Sequence, residues 1–434
     1  MVSESEEISK EQKITIALLL FMIALITFYP LLPVGFTTDD DTKGALRATM
    51  TFHDKLGYMI AAAKSTGRIS FIVNFPLADL PYAVDNFAYY KTIALGSVIL
   101  NILLFGYTIR RIFNSTALAL IAVLFFFCFL HVSWQYNLVT SYPFAFHLGL
   151  SMLFLSSLLL DSYTRTTNKR YQIISALLLI IPLIIYETFL LYFLFLALLV
   201  LFRTMSTGHV LKEIPAVLLR QLRPHIIVVF FYLMCYFSFK YYYADIAAAA
   251  AGMTDGYRIA QFSIRNAVRV IYQLSISSFP TYLFWHHGDV LRSYTDTFGG
   301  SPYAVLTIIK NARVEWIVKA VLCAYLASFV FRLHKNFTIA KFLAMISVSL
   351  LLIFLPVLPL SATLKYQDWV TKYGGLEYTV TYFALFGTVL LFSSITLYGM
   401  QRCSKGKWAE RTYLAFVLVL IAGVSFVTDY ANAH

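Results

Sequence analysis

Charge is what this sequence has little of. Asp, Glu, Lys and Arg make up 13% of its 434 residues, where a soluble domain carries roughly 25%; that shortage excludes a soluble core of this size. Cysteine is scarce too, limited to Cys128, Cys235, Cys323 and Cys403. The first three fall inside apolar runs and the last in a basic loop, so neither a metal-ligand spacing nor a disulfide framework is visible. The N-terminal stretch MVSESEEISKEQK lacks the basic leader and small-residue cleavage site of a signal peptide, and the first apolar run is expected to be a retained helix. There is no internal repeat, no low-complexity tract and no glycine-rich nucleotide loop, which leaves no place for a Rossmann or P-loop domain.

What is abundant is apolar and aromatic: 59% hydrophobic residues, with 38 Phe and 30 Tyr. A membrane span needs about 20 mostly apolar residues. Runs of that kind fall near 14–35, 92–109, 115–133, 143–160, 172–186, 189–203, 224–241, 315–331, 338–358, 380–399 and 412–429. The expectation is therefore an all-α polytopic membrane protein of about eleven transmembrane helices, forming a single domain over 1–434. The fifth and sixth spans are short and are expected to reverse at Tyr186-Glu187-Thr188. The net charge of +12 reads as a topology signal rather than a nucleic-acid footprint. One set of short loops holds Arg110 and Arg111; Arg165, Lys169 and Arg170; Arg203, Lys212, Arg220 and Arg223; Arg332 and Lys335; and Arg402, Lys405, Lys407 and Arg411. The opposite short loops, 134–142 and 187–188, hold none. The positive-inside rule puts the basic set and the N-terminus in the cytoplasm and the C-terminus outside.

Three outer segments are long: 36–91, 242–314 and 359–379. They are too apolar and aromatic for disorder, and long loops of this kind carry function. Patterning between Asp40 and Ala63, and again over 256–275, suits helices lying on the membrane surface. The sharpest chemical feature is Thr37-Thr38-Asp39-Asp40-Asp41, just beyond the first span. Adjacent carboxylates repel one another, which raises a pKa, and a carboxylate at the rim suits a general base toward a hydroxyl or a ligand for a divalent cation. An ordinary solvated helix start has the same composition. Lys43 and Arg47 follow by one and two helical turns; cations there would bind a phosphate, or form surface ion pairs of little worth. Gly67-Arg68 places a cation after a residue free to adopt an unusual turn. Glu187, at the apolar rim, needs a partner or a cavity.

Within 256–275, Arg258, Arg265 and Arg269 share one side of a helix opposite Ile259, Ala260, Ala267, Val270 and Ile271, an arrangement that presents arginines to lipid phosphates. His286-His287-Gly288-Asp289 has metal-ligand residue types without a metal-ligand spacing. His131 and His147 flank an aromatic outer loop with Trp134, Gln135, Tyr136, Asn137 and Tyr142, composed as a sugar site or an interfacial belt would be. Lys365 is a further candidate phosphate contact, in the last outer loop. The span centres carry almost no ionisable groups, unlike ion-coupled carriers.

These residues, in this order, resemble a GT-C membrane glycosyltransferase, and more narrowly the Gtr-type serotype-converting glucosyltransferases that modify O-antigen. That family's pattern is a paired acid with a basic residue three positions on, then Gly-Arg, then an Asp-x-Pro-like element before the second span. Asp39-Asp40 with Lys43, Gly67-Arg68 and Asp79-Leu80-Pro81 stand in those places. Tyr186-Glu187 stands where the family often has Tyr-Gln. The sequence likeness is confined to about the first 200 residues. Lys43 replaces an arginine, Asp41 adds a third acid, and Glu187 replaces Gln. The resemblance implies an inverting transfer of a hexose, glucose in the type case, from a polyprenyl-phosphate donor (undecaprenyl phosphate glucose) to a lipid-linked O-antigen or similar glycan. It implies a site on the periplasmic side of a bacterial inner membrane and a role in lipopolysaccharide modification and serotype conversion. Asp40 or Asp39 would be the base, and Asp41, Lys43, Arg47, Arg68, Glu187, Arg265, Arg269 and Lys365 would contact substrate. Mg or Mn at Asp39–Asp41 stays open beside a metal-free site. Two other readings fit the hydropathy: a lipid-linked sugar flippase or transporter, and an O-antigen polymerase or ligase relying on its late outer loop.

Overall fold

The computed structural model describes residues 9–33, 46–130, 132, 144–206, 211–243, 263–280, 309–333, 338–372, 379–404 and 406–433. Among the described residues the regular structure is entirely helical. A helix falls on each expected span: α1 Lys10–Phe28, α4 Phe87–Phe113, α5 Thr116–Phe129, α6 Ala145–Thr166, α7 Lys169–Ile185, α8 Tyr192–Ser206, α9 Ile214–Tyr242, α11 Val314–Arg332, α12 Ile339–Phe354, α14 Thr379–Cys403 and α15 Lys407–Ala433. Between them lie α2 Phe52–Thr66, α3 Ser70–Ala78, α10 Ile264–Ile276 and α13 Leu364–Thr371. Among the described residues, 8 of the helical segments are long and apolar enough to cross a membrane, which suggests a membrane protein.

Several helices run past their apolar cores. α9 begins at Ile214 rather than near residue 224, so Arg220 and Arg223 belong to the helix and not to the loop before it. Arg402, Lys407 and Arg411 likewise sit on α14 and α15. Backbone hydrogen bonding does not stop where the apolar stretch stops; a helix continues until a cap or breaker ends it. Asn86 and Ser115 supply such caps, each accepting a backbone N–H from the first turn of α4 and α5, at 3.1 and 3.3 Å. Asn114 (φ 49°) and Thr167 (φ 56°) close α4 and α6 in the left-handed region.

α14 is the central helix. In its most apolar window 83% of residues are buried, against 11% for α9, which lies at the periphery. α12, α5 and α15 pack around it, while α6 gathers α4, α7 and α8, and α11 joins α15 to α1. Phe386 ties the two groups together, with ring centroids 4.9 Å from Phe105 and Phe126 and 5.5 Å from Phe154. Gly387 permits this closeness: a Cβ there would stand 2.6 Å from the Ser349 carbonyl oxygen.

The chain reverses at the fifth and sixth helices as expected. α7 ends at Ile185, a 3-10 turn spans Glu187–Leu191, and α8 then returns, because Arg203 in its last turn meets Asp161 near the end of α6. That contact identifies one end of the bundle. Asp161 is buried and holds three guanidiniums: Arg203 Nε at 2.6 Å, Arg165 Nε at 2.8 Å and Arg111 Nε at 3.1 Å. Arginines assigned separately to cytoplasmic loops thus converge on one carboxylate. Glu187, α3, the N-terminus of α6 and the N-terminus of α14 lie together at the opposite end, linked through His147 against Tyr382 and Phe189 against Phe383.

Candidate functional site

α2 and α3 shape the part of the first long segment that is described. Thr51 caps α2, its hydroxyl accepting the Asp54 amide at 3.3 Å. Of the helix expected between Asp40 and Ala63, α2 is the described part, running from Phe52 to Thr66. Gly67 closes it with φ 67° and ψ 25°, and the Arg68 amide donates back to the Ala63 carbonyl at 3.0 Å. The glycine does what its place after a helix suggested: it takes the left-handed conformation that other residues adopt only with strain. Arg68 is thereby turned onto α3 and toward the end of α7.

There it meets Glu187. Arg68 Nε donates to Glu187 Oε1 at 2.7 Å, and Nη2 donates to Oε2, a bidentate pair joining residues 119 apart in sequence. The Ser70 hydroxyl donates to the same Oε1 at 3.3 Å. The guanidinium lies over the rings of Phe71 and Tyr186, 5.3 and 5.6 Å from their centroids. Side-chain exposure is 13% for Arg68 and 21% for Glu187, so the pair is mostly shielded from water. Glu187 is not reaching for solvent; it is clamped. The Tyr-Glu and Gly-Arg motifs are in direct contact.

Arg47 is engaged in the same way. It sits in a short helical turn at 46–48, where Nε and Nη2 both lie 2.9 Å from Asp79 Oδ1, and Lys55 Nζ stands 3.9 Å from Asp79 Oδ2. Asp79, at the C-terminus of α3, belongs to the Asp-Leu-Pro element, which thus meets a candidate cation of the same long segment. Each of these two arginines is matched by a carboxylate, which fixes its position and reduces the charge it offers to an anion.

Arg265 and Arg269 are both exposed on α10, with Ala267 and Val270 on its buried side. The helix starts at Ser263, whose hydroxyl accepts the Asn266 amide at 3.3 Å. α10 packs against α13, the one-turn helix Leu358–Ser361 and α14. Lys365 is on α13, its Nζ 5.7 Å from the Tyr366 ring centroid. These three cations share the Glu187 end of the bundle but rest on a different set of helices from Arg68 and Arg47. Asp39, Asp40, Asp41, Lys43, Arg258, His131, His286 and His287 lie outside the described residues. Among the described residues no group of three or more His, Cys, Asp or Glu side chains is arranged to hold a metal ion.

Sequence reasoning missed polar pairings inside the bundle, and it set His147 beside an outer loop; the residue is buried on α6. Lys319 Nζ is 2.6 Å from Asp429 Oδ1, with the lysine fully buried, near the start of α11 and the end of α15. Asn101 of α4 bonds His147 Nδ1 at 3.1 Å and accepts from the Ser151 hydroxyl at 2.7 Å. His225 Nε2 lies 2.8 Å from the Ser175 hydroxyl. The expectation of span centres almost empty of ionisable groups leaves the Lys319–Asp429 pair unnoticed. Both fell within expected spans, close to the ends, where a long side chain is usually taken to reach for the interface. No family model matches the chain, and none of the curated proteins compared with it matches either.

Proposed function

We propose that this chain is an inverting GT-C-type membrane glycosyltransferase that moves a hexose from a polyprenyl-phosphate donor to a lipid-linked glycan. O-antigen is the acceptor class the resemblance implies, and the periplasmic face of a bacterial inner membrane its place. The observation that carries the reading is the pairing of Arg68 with Glu187. Motifs chosen from a family pattern, and lying far apart in the chain, need not meet; these do.

In the reaction, Asp40 or Asp39 takes the proton from the acceptor hydroxyl as its oxygen attacks the anomeric carbon. The bond from that carbon to the phosphate oxygen breaks on the opposite face, and the polyprenyl phosphate leaves with the electron pair. Lys43, Arg47 and Arg68 stabilise the charge that develops on it. Arg68 does so from a fixed position, because Glu187, Ser70 and two rings hold it. Eleven spans, with N-terminus inside and C-terminus outside, complete the proposal. Membranes carrying Asp39→Asn with Asp40→Asn test it: the protein inserts normally and sugar transfer is lost.

One observation favours a second reading, a lipid-linked sugar carrier. Ionisable residues buried in membrane spans mark transport paths, and Lys319–Asp429 is such a pair. Its test is Lys319→Met with Asp429→Leu, assayed for sugar-lipid movement in sealed vesicles. Movement in the parent without glycosidic bond formation, lost in the variant, supports the carrier; transfer in both parent and variant supports the enzyme.

A further inference from the structure

Below the exposed arginines of α10 the bundle contains an apolar cavity of about 340 Å³. Phe129 of α5, Phe279 just beyond α10, Phe392 and Thr396 of α14, and Val417 and Ile421 of α15 form its walls. The end of α10 reaches it because the chain there plunges along α14. The Ser277 hydroxyl lies 3.1 Å from that of Thr381, the Ser278 hydroxyl 2.7 Å from that of Thr388, and the Phe279 ring 5.9 Å from that of Phe392. At 1.5 Å per residue, Phe392 stands about 20 Å along α14 from its first residue. The cavity is thus far from the helix end, at a depth where the surroundings of a membrane bundle are hydrocarbon.

An apolar cavity gives water no partners and stays dry. Leu420 on its wall is 44% exposed at the bundle surface, so the occupant available to it is a hydrocarbon chain entering from the side. The other end of α10 adds a charge requirement. Arg269 is about 10 Å along the helix from Ile276, which itself lines the cavity, and Arg265 is one turn further away, both exposed. One element thus carries both a wall of the cavity and the two exposed cations.

We propose that α10 and this cavity form a binding site for a lipid with an anionic phosphate head, the phosphate between Arg265 and Arg269 and one hydrocarbon chain in the cavity. The inference needs the membrane reading alone; it stands whether or not the protein transfers sugar.

The test uses full-length protein in phosphatidylcholine nanodiscs with phosphatidic acid carrying a diazirine near one chain end. After irradiation, the expected label falls on the peptides bearing Phe392–Thr396 and Val417–Ile421. Val417→Trp fills the cavity and lowers that label at least fivefold, and Ile421→Phe does the same should the first variant fold poorly. Arg265→Gln and Arg269→Gln each lower it about fivefold, as loss of one arginine near a charged lipid implies, and a diacylglycerol probe with the same chain labels weakly. Equal labelling by the diacylglycerol probe overturns the phosphate assignment. Labelling spread evenly over the exposed Leu219, Phe230 and Phe231 of α9, without enrichment at the cavity, overturns the site itself. None of these readouts involves sugar transfer, so failure here is separate from failure of the proposed enzyme.

Discussion

Removing one partner from the Arg68–Glu187 pair should cost far more than removing both. The pair is 13% and 21% exposed at its two side chains, shielded enough that a lone charge is poorly solvated. Deleting one member of a buried pair costs about 3–5 kcal/mol, whereas replacing both by apolar residues of similar volume is near neutral. Partial exposure places Glu187→Met in the lower part of that range, about 3 kcal/mol, because Phe71 and Tyr186 still cover the guanidinium face. Arg68→Met leaves Glu187 with the Ser70 hydroxyl at 3.3 Å and should cost about as much or more. The double variant should recover most of the loss, so the coupling energy approaches the sum of the two single costs, about 5 kcal/mol. Reversible unfolding in mixed micelles measures all three. Additivity of the two single changes within about 0.5 kcal/mol would refute the clamp.

Asp161 makes a stronger case, since one carboxylate meets Arg111, Arg165 and Arg203; Asp161→Asn should destabilise the bundle by about 3 kcal/mol or more, seen in the same unfolding assay, and an unchanged midpoint would contradict it. Gly387→Ala should be poorly tolerated, because the added Cβ would fall 2.6 Å from the Ser349 carbonyl oxygen and 2.7 Å from the Ile353 nitrogen. Overpacking against backbone costs about 1–3 kcal/mol, and thermal denaturation of the purified variant should show the loss.

The helices were legible because their cause is local. A run of apolar residues long enough for hydrocarbon declares itself one residue at a time, and each expected span carries a helix. Their ends were less legible. α9 starts at Ile214 because Pro215 sits comfortably in a first turn, a signal that a hydropathy window ignores. The short reversal at Glu187 was legible from the alternation of basic loops, and Arg203 meeting Asp161 explains why that alternation holds.

The site was legible in its parts and not in its pairing. Arg68, Glu187, Arg47 and Asp79 each stood out by residue type and position, yet nothing in their spacing says which cation faces which carboxylate. Such contacts depend on how α2 and α3 fold onto α7. Lys319 and Asp429 illustrate the opposite failure: each looks like a snorkelling residue at a span end, and only the packing of α11 on α15 reveals a buried pair.

The central claim is that a carboxylate just beyond the first span removes a proton during sugar transfer. Its most direct test is the transfer rate from a polyprenyl-phosphate hexose to a lipid-linked glycan, measured for the parent, Asp39→Asn, Asp40→Asn and the double variant at equal amounts in the membrane. Loss of a general base lowers the rate by about 10²–10⁴-fold, so one single variant and the double should fall by at least a hundredfold. Parental rates in both single variants and in the double would contradict the account.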